Sequence, residues 1–480
     1  MSESDLELYF TSNSTETDTT FTISTNNSLY ESDIDEISIS SSISCKTEEN
    51  MLLFDSFEEQ EIDDIIEDIY EQFEDCYTDN ILKMSSPKFY KDMIDSISIN
   101  LWIEWENINI CDEDEFQQIV DFVEEQHESY LAYNSHIVRR SITNTTDFID
   151  KNKYSIEDLT TIIEYINNQP QPAQRTPEWY EFRNSLLSAS NLWKAFGSQS
   201  QINSLIYEKC KAYDNPVERV SYGTSNAMHW GVKYEPITIM IYEDLYKTKI
   251  GEFGCIRHLN YPYIGASPDG INILPSSDKY GTMLEIKNIV NREITGIPKE
   301  EYWIQTQIQM ETCNLDKCDF VETRIKEYDN KEDFYNNSTN SSYRGIVLHF
   351  INSDFSENDN PTYHYMPLNT PLNKEAINDW ITKEKESVNN KVLLNTLYWY
   401  LDEISCVLIQ RNRSWFSTAI HKIKEVWDII EKEKINGYEH RSPKRRIPKT
   451  TVSIDDVSGS HTITNMPSTN RVCLIKLDSK

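Results

Sequence analysis

The sequence of 480 residues contains no run of 18 apolar residues, so no transmembrane helix is predicted. Its first residues are acidic and polar, and they lack the basic and then apolar order of a secretory signal peptide. The nine cysteines include no Cys-x-x-Cys pair, which argues against a zinc site. An odd number of cysteines without a signal peptide favours reduced thiols. We therefore expect an intracellular protein that is not attached to a membrane.

Positive charge is scarce, and its distribution along the chain is uneven. The chain holds 45 Lys and Arg against 80 Asp and Glu, a net charge of −35. Residues 1–170 contain 40 acidic and 8 basic residues, whereas the remaining residues contain 40 acidic and 37 basic ones. The acidity therefore belongs to the N-terminal part. Because phosphate binding depends on local potential rather than total charge, the C-terminal part can still bind an anionic substrate.

Composition divides the chain into five predicted segments. Residues 1–50 are rich in Ser, Thr, Asn, Asp and Glu without an apolar period, which predicts a disordered acidic tail. In residues 51–168, apolar residues recur at helical spacing among Asp and Glu, which predicts an acidic helical domain. Residues 169–174 contain two prolines and form a predicted linker. A second domain at 175–440 and a basic, polar tail at 441–480 complete the prediction.

The second domain shows alternating helix and strand patterns, which predict an α/β fold. The segment Asp329–Tyr343 is rich in Asn, Ser and Asp, so we predict a surface loop there. Predicted helices cover Pro177–Arg183, Ser225–Tyr246, Lys299–Cys313 and Ser414–Glu433. Predicted strands cover Ile250–Arg257, Tyr263–Ala266, Met283–Ile289, Phe320–Lys326, Arg344–Phe350 and Ser405–Gln410.

Two short motifs carry the chemistry of this domain. Pro268 and Gly270 flank Asp269 and mark a turn at a strand end. In the run Met283–Lys287, strand alternation places Glu285 and Lys287 on one face. A hairpin between the two motifs would bring two carboxylates and one ammonium together. Such a set suits phosphodiester hydrolysis, because carboxylates are hard oxygen ligands for Mg²⁺. An isolated pair of this kind is more often a surface turn and a surface Glu/Lys pair, so the prediction depends on further matches.

Three further motifs occur in a fixed order around this pair. The run Glu178–Arg183 is followed by Ser188-Ala189-Ser190, and Trp230-Gly231 precedes Glu235 by a helical turn. Tyr302 is followed by glutamines at 305 and 307. With these motifs, about residues 175–437 resemble the lambda-type exonucleases and YqaJ-like viral recombinase nucleases of the PD-(D/E)xK superfamily. The resemblance implies a restriction-endonuclease-like core, a mixed sheet flanked by helices. One departure is a hairpin lengthened by Pro275–Thr282.

The resemblance also implies roles for particular residues. It implies metal binding by Glu235, Asp269 and Glu285, and a place near the catalytic water for Lys287 and Gln305. Substrate binding falls to Arg183 and Ser190, which would hold a 5′-phosphate, and to Gln307 as a second glutamine candidate, while Gln309 lies outside the pattern. Plainer interpretations stay open: Arg183 could cap a surface helix, Glu235 could be an exposed helix residue, and the glutamines could be ordinary surface amides.

The function implied is a Mg²⁺-dependent 5′-to-3′ exonuclease of double-stranded DNA, with Mn²⁺ as a substitute ion, acting in viral recombination or replication. Its implied partners are linear DNA with a 5′-phosphate, a single-strand annealing or replication protein, and further copies of the chain. It would work in the viral or host cytoplasm or nucleus. Two alternatives are a structure-specific or nicking endonuclease of the same superfamily, and a non-catalytic DNA- or protein-interaction protein that acts through its acidic N-terminal half.

Overall fold

The computed structural model describes residues 53–86, 88–133, 154–174, 176–211, 227–353 and 361–442. These residues belong to one of the two compact units of the chain, Leu53–Lys480. The predicted tail at 1–50, and all but the first two residues of the predicted tail at 441–480, lie outside the described residues. Within the described ranges, no helix has the length and the apolar character that crossing a membrane requires.

Three acidic helices form the first part of the structure: α1 (Glu59–Asp79), α2 (Phe89–Asn107) and α3 (Phe116–Tyr133). They bury a hydrophobic core of their own, which includes Phe73, Ile97 and Ile119. A 3-10 turn at Ile81–Ser85 follows α1 and connects these helices to the rest of the fold. Ile81 and Leu82 pack against the main core, and Ser85 Oγ donates a hydrogen bond of 2.8 Å to Glu300. The boundaries of the acidic domain stay a prediction.

The helix α4 (Ile156–Asn167) packs with the second domain. Ile162, Ile163 and Ile166 lie in the main core, together with strand and helix residues of that domain. On the same helix, Leu159 is so close to Gly281 (φ +77°) that a Cβ at Gly281 would lie 2.6 Å from it. Within the predicted linker, Gln171 accepts a hydrogen bond of 2.6 Å from the amide of Gly254. The sequence groups α4 with the acidic helices, whereas its apolar face completes the core of the second domain.

Eight further helices follow along the described chain. They are α5 (Pro177–Asn184), α6 (Ala189–Leu192), α7 (Gln199–Cys210), α8 (Ala227–Tyr246), α9 (Glu300–Cys313), α10 (Lys331–Asn336), α11 (Lys374–Ser387) and α12 (Arg413–Asn436). The described strands are β1 (Leu187–Ser188), β2 (Ile250–Gly251), β3 (Ile256–Arg257), β4 (Ile264–Ala266), β5 (Gly270–Asn272), β6 (Met283–Asn288), β7 (Lys317–Glu327), β8 (Arg344–Asn352), β9 (Thr362–Tyr365) and β10 (Lys391–Gln410).

The main sheet has the strand order β2-β5-β6-β7-β10-β8-β9, and a small sheet has the order β1-β4-β3. The pair β6–β7 is parallel, whereas the other pairs of the main sheet are antiparallel. Alternation along β6 sends Met283 into the core shared with α9 and α12, and Leu284 into the core shared with α8. Helices therefore cover both faces, and the predicted class, a mixed sheet flanked by helices, is confirmed.

Some predicted elements differ from the structure. The strand predicted at Ser405–Gln410 is the end of the 20-residue strand β10, whose earlier half is mostly half-buried and lacks a clear apolar alternation. The loop predicted at Asp329–Tyr343 contains the helix α10, because Asn330 caps it by accepting from the amide of Asp333 at 2.9 Å. The strand predicted at Ile250–Arg257 is divided into β2 and β3, which belong to different sheets.

Candidate active site

The candidate site begins at the turn between β4 and β5. Gly270 pairs with Leu284, and a Cβ at Gly270 would lie 2.2 Å from Ile250, so a side chain there would force the strands apart. Beyond Leu284, β5 no longer covers the edge of β6. Asp269 occupies this open edge and its Oδ2 accepts a hydrogen bond of 2.7 Å from the amide of Ile286. The turn therefore holds Asp269 beside Glu285.

Glu285 lies at the centre of the site and is 1% exposed. Its Oε1 accepts a hydrogen bond of 2.7 Å from Gln305 Nε2 and one from the ammonium of Lys287. Its Oε2 accepts from Gln309 Nε2 at 2.8 Å. Lys287 Nζ also lies 4.7 Å from the centre of the Tyr302 ring. Both oxygens of this buried carboxylate therefore have hydrogen-bond donors.

The charges at the site are unbalanced. Burial, followed by the charges of Glu285 and Glu235, raises the pKa of Asp269 well above its usual value, against the opposing effect of Lys287. Burial alone would lower the pKa of Lys287, but the Glu285 and Asp269 carboxylates outweigh this effect and raise it. Lys287 therefore stays protonated. Its single positive charge is outnumbered by the carboxyl groups of Asp269, Glu285 and Glu235.

Glu235 lies on a helix, and not on the β5–β6 hairpin that carries Asp269 and Glu285. It lies on α8, in the turn that also contains Pro236, and its charge reaches Asp269. Among the described residues, no group of three or more Asp, Glu, His or Cys side chains is arranged to hold a metal ion. The chemistry of the donors nevertheless fits a hard divalent cation, because carboxylate oxygens are its preferred ligands. Burial and the neighbouring carboxylates raise the pKa of Asp269, and such a cation would offset this destabilisation of the charged form.

The predicted phosphate-binding residues lie in a segment that spans β1: Arg183 on α5 precedes this strand, and Ser190 on α6 follows it. The guanidinium of Arg183 lies over the ring of Trp179 at 4.7 Å, and the exposed Ser190 has its Oγ 3.4 Å from Ser188 Oγ. Ser188 pairs with Gly265 on β4, the strand that runs into the Asp269 turn. This strand pairing connects the segment to the carboxylates.

The structure separates the glutamines of α9 into two sets. Gln307 Nε2 donates to the carbonyl of Gln410 at 2.8 Å, and its Oε1 accepts from the amide of Asn412 at 2.7 Å. Gln307 thus joins α9 to the end of β10 and does not contact Glu285. Gln309, which the motif did not single out, contacts Glu285 instead. Its spacing of four residues from Gln305 could have indicated this, because such residues share one helix face.

Ser267, two residues before Asp269, also belongs to the site. Gln309 Nε2 donates to its carbonyl at 3.1 Å. Among the described residues, the buried Ser267 Oγ and Gln309 Oε1 have no hydrogen-bond partner. Both atoms belong to residues beside the carboxylates, since Gln309 donates to Glu285 and Ser267 stands two residues before Asp269.

The elements that build this site lie in the part of the chain that matches a family model. Residues 178–316 match the model of the YqaJ-like viral recombinase domain. This part of the chain is similar to the YqaJ-like viral recombinase domain. The match includes Arg183, Glu235, Asp269, Glu285 and α9 up to its end at Cys313. The predicted resemblance to YqaJ-like viral recombinases is confirmed by this match.

A relative of the chain matches it over a stretch longer than this domain. The chain is 28% identical over 349 residues to an uncharacterized protein of Acanthamoeba polyphaga mimivirus, a match that covers 65% of this chain and 61% of that protein. The chain therefore spans less than two thirds of the length of this relative.

Solved structures similar to the chain include an alkaline exonuclease, LHK-Exo, from Laribacter hongkongensis, at 18% identity and a TM-score of 0.33. LHK-Exo in complex with dAMP is 19% identical, with a TM-score of 0.31. Each comparison covers 54% of this chain and 95% of the solved chain. These TM-scores are too low to support an argument about function.

Proposed function

We propose that the chain is a divalent-metal-dependent deoxyribonuclease that degrades linear double-stranded DNA from its 5′ ends, with Mg²⁺ as the natural ion and Mn²⁺ as a substitute. The observation that supports this best is the convergence of Asp269, Glu285 and Lys287 at one strand end, with the charge of Glu235 added. Because the domain is of the viral recombinase type, we place the activity in viral DNA recombination or replication.

Asp269, Glu285 and Glu235 would hold the ion. When bound, it stabilises charge on the scissile phosphate and lowers the pKa of a water molecule. Lys287 keeps its proton over a wide pH range, since two carboxylates raise its pKa. Its ammonium can therefore hold the attacking oxygen by a charge-assisted hydrogen bond. Gln305 and Gln309 donate to different oxygens of Glu285 and fix the orientation of that carboxylate.

Arg183 and Ser190 would bind the 5′-phosphate of the strand to be degraded. A guanidinium offers two parallel donors to a phosphate, and a serine hydroxyl adds a third. The Trp179 ring supports the guanidinium of Arg183 from one side, which reduces the freedom that binding would remove. A 5′-to-3′ direction and an annealing partner or oligomer follow from the family resemblance and are part of the proposal.

The test compares end-labelled linear duplex with covalently closed circular DNA, each with Mg²⁺ or with a chelator. We expect Mg²⁺-dependent loss of the linear DNA and no attack on the circles, and Asp269→Asn should be inactive on both. Cleavage of closed circles would favour the nicking endonuclease. A folded wild-type protein that cleaves neither substrate would favour the interaction protein that acts through its acidic half.

A further inference from the structure

We infer that Asn288 is the positioning residue of Glu235: it fastens the helix turn that carries Glu235 to the strand that carries Glu285 and Lys287. This inference deepens the proposed function and rests on it. Asn288 is the last residue of β6 and directly follows Lys287. By strand alternation its side chain lies on the face opposite to Lys287, which is the face that α8 covers.

The contacts of Asn288 bracket Glu235 along α8. Asn288 Nδ2 donates to the carbonyl of Gly231 at 3.0 Å, and Asn288 Oδ1 accepts from Thr238 Oγ1 at 2.8 Å. Gly231 precedes Glu235 by four residues and Thr238 follows it by three, so both lie on the helix stripe of Glu235. One amide side chain therefore holds the turns on both sides of the carboxylate.

The neighbouring strand completes this arrangement. Thr323 Oγ1, on β7, donates to Asn288 Oδ1 at 2.7 Å and lies 2.9 Å from Thr238 Oγ1. Thr238 and Thr323 are both 0% exposed. Hydrogen bonds in such a dry setting are costly to break, since a buried donor or acceptor that loses a partner has no water to replace it. The network joins β6, β7 and α8 at the level of the candidate site.

The helix needs such an external fastening at this point. Pro236 directly follows Glu235 and has no amide hydrogen, so the carbonyl of Val232 loses its usual helical donor. A proline within a helix also bends it, because the ring meets the preceding turn. The turn that carries Glu235 is therefore weak by itself. Asn288 sets its position relative to the hairpin that carries Asp269 and Glu285.

The experiment measures Mn²⁺ affinity of the full chain by calorimetry, with cleavage of linear DNA measured in parallel. Residues that orient metal ligands typically change metal affinity 10- to 100-fold when they are removed. We expect Asn288→Ala and Thr238→Val to weaken Mn²⁺ binding by about tenfold or more. Thr238→Ser keeps the hydroxyl and should keep the wild-type affinity.

A double-mutant cycle separates positioning from simple destabilisation. In a Glu235→Gln background, Asn288→Ala should cause no additional loss of Mn²⁺ affinity, because its effect passes through Glu235. The matched control is Asn412→Ala, which removes a buried cap that accepts from the amide of Trp415 at 2.8 Å. This control should lower the thermal unfolding midpoint and leave Mn²⁺ affinity unchanged.

Wild-type Mn²⁺ affinity in Asn288→Ala would overturn the inference, as would a loss that adds fully to that of Glu235→Gln. The same holds if the wild-type chain binds no Mn²⁺. If the wild-type chain binds Mn²⁺ and Asn288→Ala weakens binding, but no variant cleaves DNA, then the proposed function fails and the inference about Asn288 stands.

Discussion

Replacing Gln309 and replacing Gln307, both on α9, should affect different properties of the protein. Gln309→Leu removes the donor to Glu285 Oε2, and Gln305 and Lys287 still hold Oε1. Gln307→Leu removes two hydrogen bonds to the backbone of the β10–α12 connection and none to the site. We expect Gln309→Leu to slow cleavage, and Gln307→Leu to reduce stability instead.

The sizes of both effects follow from the bonds that are lost. A hydrogen bond to a charged group contributes about 1.5–3 kcal/mol, which corresponds to a roughly 10- to 150-fold slower reaction if Glu285 must be held in place during the chemical step. Gln307→Leu leaves the backbone groups of Gln410 and Asn412 unpaired, and both residues are buried. Each such group costs about 1–3 kcal/mol of unfolding free energy.

The assay is a single-turnover measurement on linear duplex at saturating metal, paired with urea unfolding of the same preparations. Single-turnover rates exclude DNA release, so a change reports on the site itself. If Gln309→Leu kept the wild-type rate, or if Gln307→Leu were the slower enzyme at an equal folded fraction, the division of roles between these glutamines would be refuted.

Three more outcomes are expected. Asp269→Asn should abolish cleavage. Because the pKa of Asp269 is raised in the folded chain, the metal-free wild type should lose stability as the pH rises above about 4 and through that pKa. Calorimetry should find a weaker dependence of stability on pH in the variant, and in the wild type with Mn²⁺. A chain that begins at residue 154 should fold and cleave DNA. A chain that begins at residue 171 lacks α4 and should show a lower thermal unfolding midpoint. Equal midpoints of the two chains would contradict the role of α4 in the core. Arg183→Ala should lose initial rate on 5′-phosphorylated ends far more than on 5′-hydroxyl ends, by roughly 10- to 150-fold; equal slowing on both would make Arg183 a general contact.

Much of the candidate site could be predicted from the sequence because its features are local. A turn with Pro268 and Gly270 ends one strand, and alternation in the next strand puts Glu285 and Lys287 on one face. The short separation along the chain leaves a hairpin as the natural connection. The spacing of four residues also places Gln305 and Gln309 on one helix face, although the motif favoured Gln307.

Other features depended on segments that are far apart in the sequence. The full length of β10 follows from its pairing with β7 and β8, since its exposed half has no burial period of its own. The place of α4 depends on the core of the second domain, into which its isoleucines pack, and no pattern within the helix specifies that partner. The effect of the Glu235 charge on the pKa of Asp269 also depends on the fold, because the two residues lie on separate elements.

The sequence by itself determined the class of the fold, the uneven charge and the set of residues suited to phosphodiester chemistry, because periodicity and turn residues act over a few positions. Only the tertiary structure decided which of these side chains meet. Asn288 illustrates the difference: in the sequence it is only a polar residue within a predicted strand, whereas in the fold it connects β6, β7 and α8 around Glu235. Such contacts depend on how separate elements pack, and packing is a property of the whole domain.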